Sequence, residues 1–88
     1  MQININELDF NSLIICAFRY ALGTMTYMPN IISKIIQNNL EKLNNQTINL
    51  IIKEIEDAEK IEDLGMECDK DVWLTLKERL KKYESKMY

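Results

Sequence analysis

Apolar residues recur every three or four positions along most of this chain, the period of helices that each bury one stripe. Four helices are expected. The first spans 12–22, Ser12 to Leu22, with Asp9 or Asn11 as its N-cap and Gly23 placed for a left-handed stop. It is apolar nearly all round, so it should be the central, most buried helix. The second spans 30–43, with Pro29 in the position favoured at a first turn. Ile31, Ile32, Ile35, Ile36, Leu40 and Leu43 form its apolar stripe, and Lys34, Gln37, Asn38, Glu41 and Lys42 its polar side. Asn44-Asn45 is a turn in which either Asn can cap the third helix, expected over 46–64. Ile48, Ile51, Ile52, Ile55 and Ala58 define its buried face, and Gly65 ends it. The fourth spans 69–86, capped by Asp69, with Asp71 in the dipole-favoured first turn. Val72, Trp73, Leu76, Leu80, Tyr83 and Met87 follow helical spacing.

Short connectors make neighbouring helices antiparallel. The expected architecture is all-α: a compact four-helix single domain over 1–88, with a short N-terminal arm at Gln2–Leu8 where Ile3 and Ile5 alternate with Asn. With 88 residues the chain holds one modest core, of Ile and Leu anchored by Phe18, Trp73 and Tyr20. One stretch imitates a membrane span: from Phe10 to Ser33 the only charge is Arg19. A span is rejected because Arg19 would sit near mid-bilayer and because Gly23 and Pro29 interrupt the run.

Composition then removes chemistry. There is no His, so the commonest general base and transition-metal ligand is missing. Two Cys can build neither a four-thiolate zinc site nor a disulfide framework. No Ser stands beside a base, and the two Gly are isolated helix stops rather than a phosphate-cradling loop. Cys16 lies in an apolar helix and Cys68 among acids, neither an activating setting. The expectation is therefore no enzyme, no cofactor and no metal. The net charge of -3 speaks against a general nucleic-acid binder. No basic n-region opens the chain, so a cytoplasmic location with reduced thiols is expected. The abundance of Ile, Asn and Lys, all with A/T-rich codons, points to a low-GC genome.

Charge is distributed unevenly, and two segments invite a functional reading. From Glu54 to Asp71, nine acids face only Lys60 and Lys70, a local charge of -7. Glu54, Glu56, Asp57, Glu59, Glu62, Asp63 and Glu67 could form an acidic face for a basic partner, or simply a solvated helix face with capping acids. Asp63 to Asp71 lacks the ligand spacing and central Gly of an EF-hand. The second segment surrounds Arg19, a lone charge in apolar surroundings. Cys16, Arg19, Tyr20 and Gly23 share one helix face, and Thr24, Thr26 and Tyr27 add hydroxyls before a helix N-terminus. Arg19, Tyr20, Thr24, Thr26 and Tyr27 could bind a small anionic ligand. Alternatively, Arg19 bonds the last carbonyls of its own helix or pairs with one acid of the third helix. The basic tail from Lys77 to Lys86 matches the usual collection of bases at a helix C-terminus.

The run Cys16-Ala17-Phe18-Arg19-Tyr20-Ala21-Leu22-Gly23-Thr24-Met25-Thr26-Tyr27-Met28 resembles a pattern of small phage and prophage accessory proteins, as more loosely do Gly65–Asp69 and Trp73. Those proteins often carry a second Arg where this chain has Thr24. The resemblance implies a phage origin, in keeping with the low-GC composition, and brings no catalytic mechanism. As a class such proteins resemble inhibitors of host defence, anti-CRISPR proteins and sponges for nucleotide signals among them. The expected function is a non-enzymatic, anti-CRISPR-like inhibitor that binds the basic surface of a host defence effector inside the bacterial cell. The alternatives are a sponge for an anionic nucleotide signal and a plain structural helper. Direct nucleic-acid or membrane binding is not expected. A homodimer closed by exposed parts of the Ile-rich helices is left open.

Overall fold

The computed structural model describes residues 6–22, 28–62 and 67–86. They form four α-helices and one 3-10 turn, with no strand among them. The all-α, four-helix expectation holds, and the differences lie at the helix ends.

Helix α1 runs Glu7–Leu22, starting before the expected Ser12. Asn6 is the cap: its Oδ1 accepts the Asp9 N–H at 2.8 Å. Neither Asp9 nor Asn11 plays that part, and the N-terminal arm loses Glu7 and Leu8 to the helix; residues 2–5 lie outside the described ones.

Helix α2 runs Met28–Asn38, with buried Pro29 in its first turn. The single helix expected over 30–43 is divided, because a separate 3-10 turn follows at Leu40–Lys42. Asn39 makes the break. Its side-chain Nδ2 donates to the Ile35 carbonyl at 2.7 Å, the oxygen a continuing helix would give to its backbone N–H. That N–H turns instead to the Ile36 carbonyl at 3.1 Å.

Helix α3 runs Asn45–Lys60. Of the two candidate caps Asn44 is used, and its side chain accepts the Thr47 N–H at 2.8 Å. The helix ends before the expected 64. Its buried stripe closes at Ala58, Ile61 is solvent-exposed, and Glu62 takes a left-handed φ of 55°, so the helix stops before Gly65, the residue expected to end it. Gly65 itself lies outside the described residues. Helix α4 runs Glu67–Lys86, so it begins two residues before the proposed cap Asp69.

The helices form a ring. α1 packs against α2 and α3, and α4 packs against the same two from the far side. The molecule measures 38 × 36 × 17 Å, a slab about two helices thick. Phe18 of α1 and Trp73 of α4 meet across the ring, both fully buried, edge to face with centroids 5.3 Å apart. Around them sit Ile14, Ala21, Ile32, Ile36, Leu43, Leu76, Leu80 and the stripe Ile48, Ile51, Ile52, Ile55.

Three burial expectations are corrected. Tyr20 is exposed and anchors nothing in this core. Ile31 and Ile35 are exposed too, because helix packing covers only the Ile32–Ile36 edge of the α2 stripe. Helix α1 is not buried nearly all round: it leaves Leu13, Cys16 and Tyr20 to solvent, while α3 carries the longer buried stripe.

Candidate binding surface

The two segments singled out by charge meet at one place. Arg19 projects from the last turn of α1 toward α3. Its Nε donates to Oε1 of Glu54 at 2.9 Å, and Nη2 stands 2.9 Å from the same oxygen. The ion pair is fairly open, with 58% of the arginine side chain and 26% of the glutamate exposed. Arg19 thus takes the structural alternative: it pairs with one acid of the third helix. An anion bound at this guanidinium would have to compete with a carboxylate already in place. Tyr20, one residue on, is exposed beside it. Thr24, Thr26 and Tyr27 fall outside the described residues.

The other α3 acids divide by helix face. Glu59 accepts from Lys77 Nζ at 2.7 Å and Glu56 from Lys81 Nζ at 3.2 Å, both across the α3–α4 seam. Lys77 and Lys81 are one turn apart on α4, as Glu56 and Glu59 are on α3, so the pairs form two rungs. Asp57 and Glu62 are exposed, with no ion pair among the described residues. Asp63 lies outside them, and of Glu67 only the backbone, at the start of α4, is described. Between Glu54 and Glu62, then, three of five acids stand against a base from another helix. The local charge of -7 is an excess along the chain that folding partly neutralises in space.

Beside the Arg19–Glu54 pair an open groove of about 480 Å³ runs along the outer side of α3. Gln46, Asn49, Lys53 and Asp57 line it with the ion pair, and Leu50 adds the apolar part. Sequence reasoning missed Gln46, Asn49, Leu50 and Lys53. Their signal was the spacing 46, 50, 53, 57 opposite the Ile stripe, a regular outer face that charge counting does not detect. A shallower groove of about 320 Å³ lies between α2 and α4, lined by Lys34, Gln37, Asp71 and Thr75 among others.

Compared with known proteins, the chain matches no family model, no curated protein and no solved structure at a significant level. Among the described residues no helix is long and apolar enough to cross a membrane. The arrangement offers hydrogen-bonding and charged groups on a rigid helix side.

Proposed function

We propose that this protein works by binding another protein, as a non-enzymatic phage accessory protein of the anti-CRISPR-like kind that inhibits a host defence effector. Its docking surface is the outer side of α3 with the acids that flank it. One observation carries the reading. The Ile48–Ile55 stripe locks one side of α3 into the core, while Asp57 on the other side and Glu62 just past the helix end stay exposed, in no ion pair among the described residues.

The mechanism is charge exchange. Glu56 and Glu59 sit in ion pairs whose acid side chains remain 42% and 45% exposed. The Glu56–Lys81 pair, exposed on both sides, contributes about 0–1 kcal/mol, so a basic side chain of a partner can replace Lys81 at little cost, whereas Lys77, with 16% of its side chain exposed, stays on Glu59. Asp57 and Glu62 add two acids that need no displacement. Their field draws a basic surface in and raises the association rate at low salt. On this reading the site of action is the bacterial cytoplasm.

The test is a double charge reversal, Asp57→Lys with Glu62→Lys. Neither side chain is buried, so the helical circular dichroism should persist. Capture of the effector and inhibition of its activity should both be lost. Wild-type inhibition by the doubly reversed protein refutes the surface.

A further inference from the structure

Leu13 and Tyr20 on α1 and Ile31 and Ile35 on α2 are 54%, 62%, 48% and 39% exposed. They are not scattered. On α1, Leu13, Ala17 and Tyr20 fall within about 60° of one another around the helix axis. Arg19, on the opposite flank of the buried Ile14–Phe18–Ala21 stripe, reaches α3, so the Leu13–Tyr20 line faces the α2 side. On α2, the Asn30–Lys34–Gln37 flank borders the groove toward α4, so Ile31 and Ile35 lie on the α1 side. Since α1 and α2 pack together, the four side chains border one seam and form one apolar face.

We propose that this face is covered by a second copy of the chain, giving a two-fold dimer through α1 and α2. The inference is independent of the function proposed for α3, which lies on the other flank of α1. Three features favour a copy over an unlike partner. First, the face carries no net charge: exposed Asp9, one turn before Leu13, and exposed Lys34, beside Ile35, border it with one charge of each sign, and Arg19 is held by Glu54 on α3. A strongly basic or strongly acidic partner finds little complementary there, whereas a copy brings an equally neutral surface. Second, the area suffices. At about 200 Å² for a fully exposed large side chain, the four leave about 400 Å² of apolar surface per copy. Two copies contribute about 800 Å², which at the ~60% apolar share of an interface implies roughly 1,300 Å² in all, within the range of stable complexes. Third, the slab is only 17 Å thick, and stacking two slabs gives this small chain a deeper interior.

Sedimentation equilibrium tests the proposal on the full chain. The wild type should sediment at twice 10.4 kDa. Leu13→Glu and Tyr20→Glu place an unpaired carboxylate in the interface and should weaken dimerisation at least about 100-fold, leaving 10.4 kDa particles with unchanged helical circular dichroism. Ile61→Glu alters the most exposed of the large apolar side chains among the described residues, away from the seam, and should leave the dimer intact. A wild type that remains monomeric at ~200 µM, or a dimer that survives both α1 substitutions, overturns the proposal. A monomer that floats with phosphatidylcholine vesicles overturns it as well and assigns the face to a lipid surface.

Discussion

Asn11 is the polar residue on which the packing of α1 depends most directly. It is 3% exposed, and its side chain spans two connections. Nδ2 donates to the Lys42 carbonyl at 2.9 Å, and Oδ1 accepts the Asn44 N–H at 2.9 Å. One amide thus ties α1 to the end of the 3-10 turn and to the cap of α3. Asn11→Ala leaves a backbone donor and a backbone acceptor without these partners. Each unsatisfied group costs about 1–3 kcal/mol when buried, and both lie at a part-buried seam, so the total should be about 2–3 kcal/mol. For a domain of this size that lowers Tm by roughly 8–20 °C. Asn11→Asp is the sharper variant. It keeps an acceptor for Asn44 but sets a carboxylate against the Lys42 carbonyl. Burial and that carbonyl would raise the aspartate's folded-state pKa above its unfolded value. The variant should therefore be most stable below the unfolded value of about 3.9 and lose that advantage as pH rises through the raised folded-state value. Urea denaturation at pH 4 and pH 7, followed by circular dichroism, measures both effects. If Asn11→Ala costs under about 0.5 kcal/mol, or Asn11→Asp shows no pH dependence, the bridge is not a support of the fold.

Other consequences can be checked in the same assay. Arg19→Ala removes an exposed pair and should cost no more than about 1 kcal/mol, with a double-mutant cycle against Glu54→Ala giving a coupling of that size. Trp73→Ala opens a cavity at the centre of the ring and should cost about 3–5 kcal/mol; Trp73→Phe should cost distinctly less, since it also removes a buried indole N–H that has no acceptor among the described residues. Glu62→Asn suits the left-handed backbone at the end of α3 and should raise stability by about 0.5 kcal/mol; a loss of that size would show that the Glu62 side chain contributes there.

The 3.6-residue period of Ile and Leu was enough to place four helices and to choose the buried side of α3 without error. The reason is local: Ile48, Ile51, Ile52 and Ile55 lie opposite a side that is polar but for Leu50, and one arrangement alone buries them. The cap at Asn44 was legible for the same kind of reason, since an Asn before an apolar run needs only its own backbone to be recognised. The α1–α2 seam was not legible. Those helices carry more apolar surface than one partner each can cover, so the pattern could not say that Phe18 goes in while Tyr20 stays out, or Ile32 in while Ile35 stays out. That choice belongs to which neighbour each helix meets. The charge pattern behaved similarly. Composition determined that the middle of the chain is acidic and that Arg19 stands alone in its segment. Only the tertiary structure decided that Arg19, Lys77 and Lys81 come from distant positions to meet Glu54, Glu59 and Glu56, because electrostatic energy depends on separation in space and not along the chain.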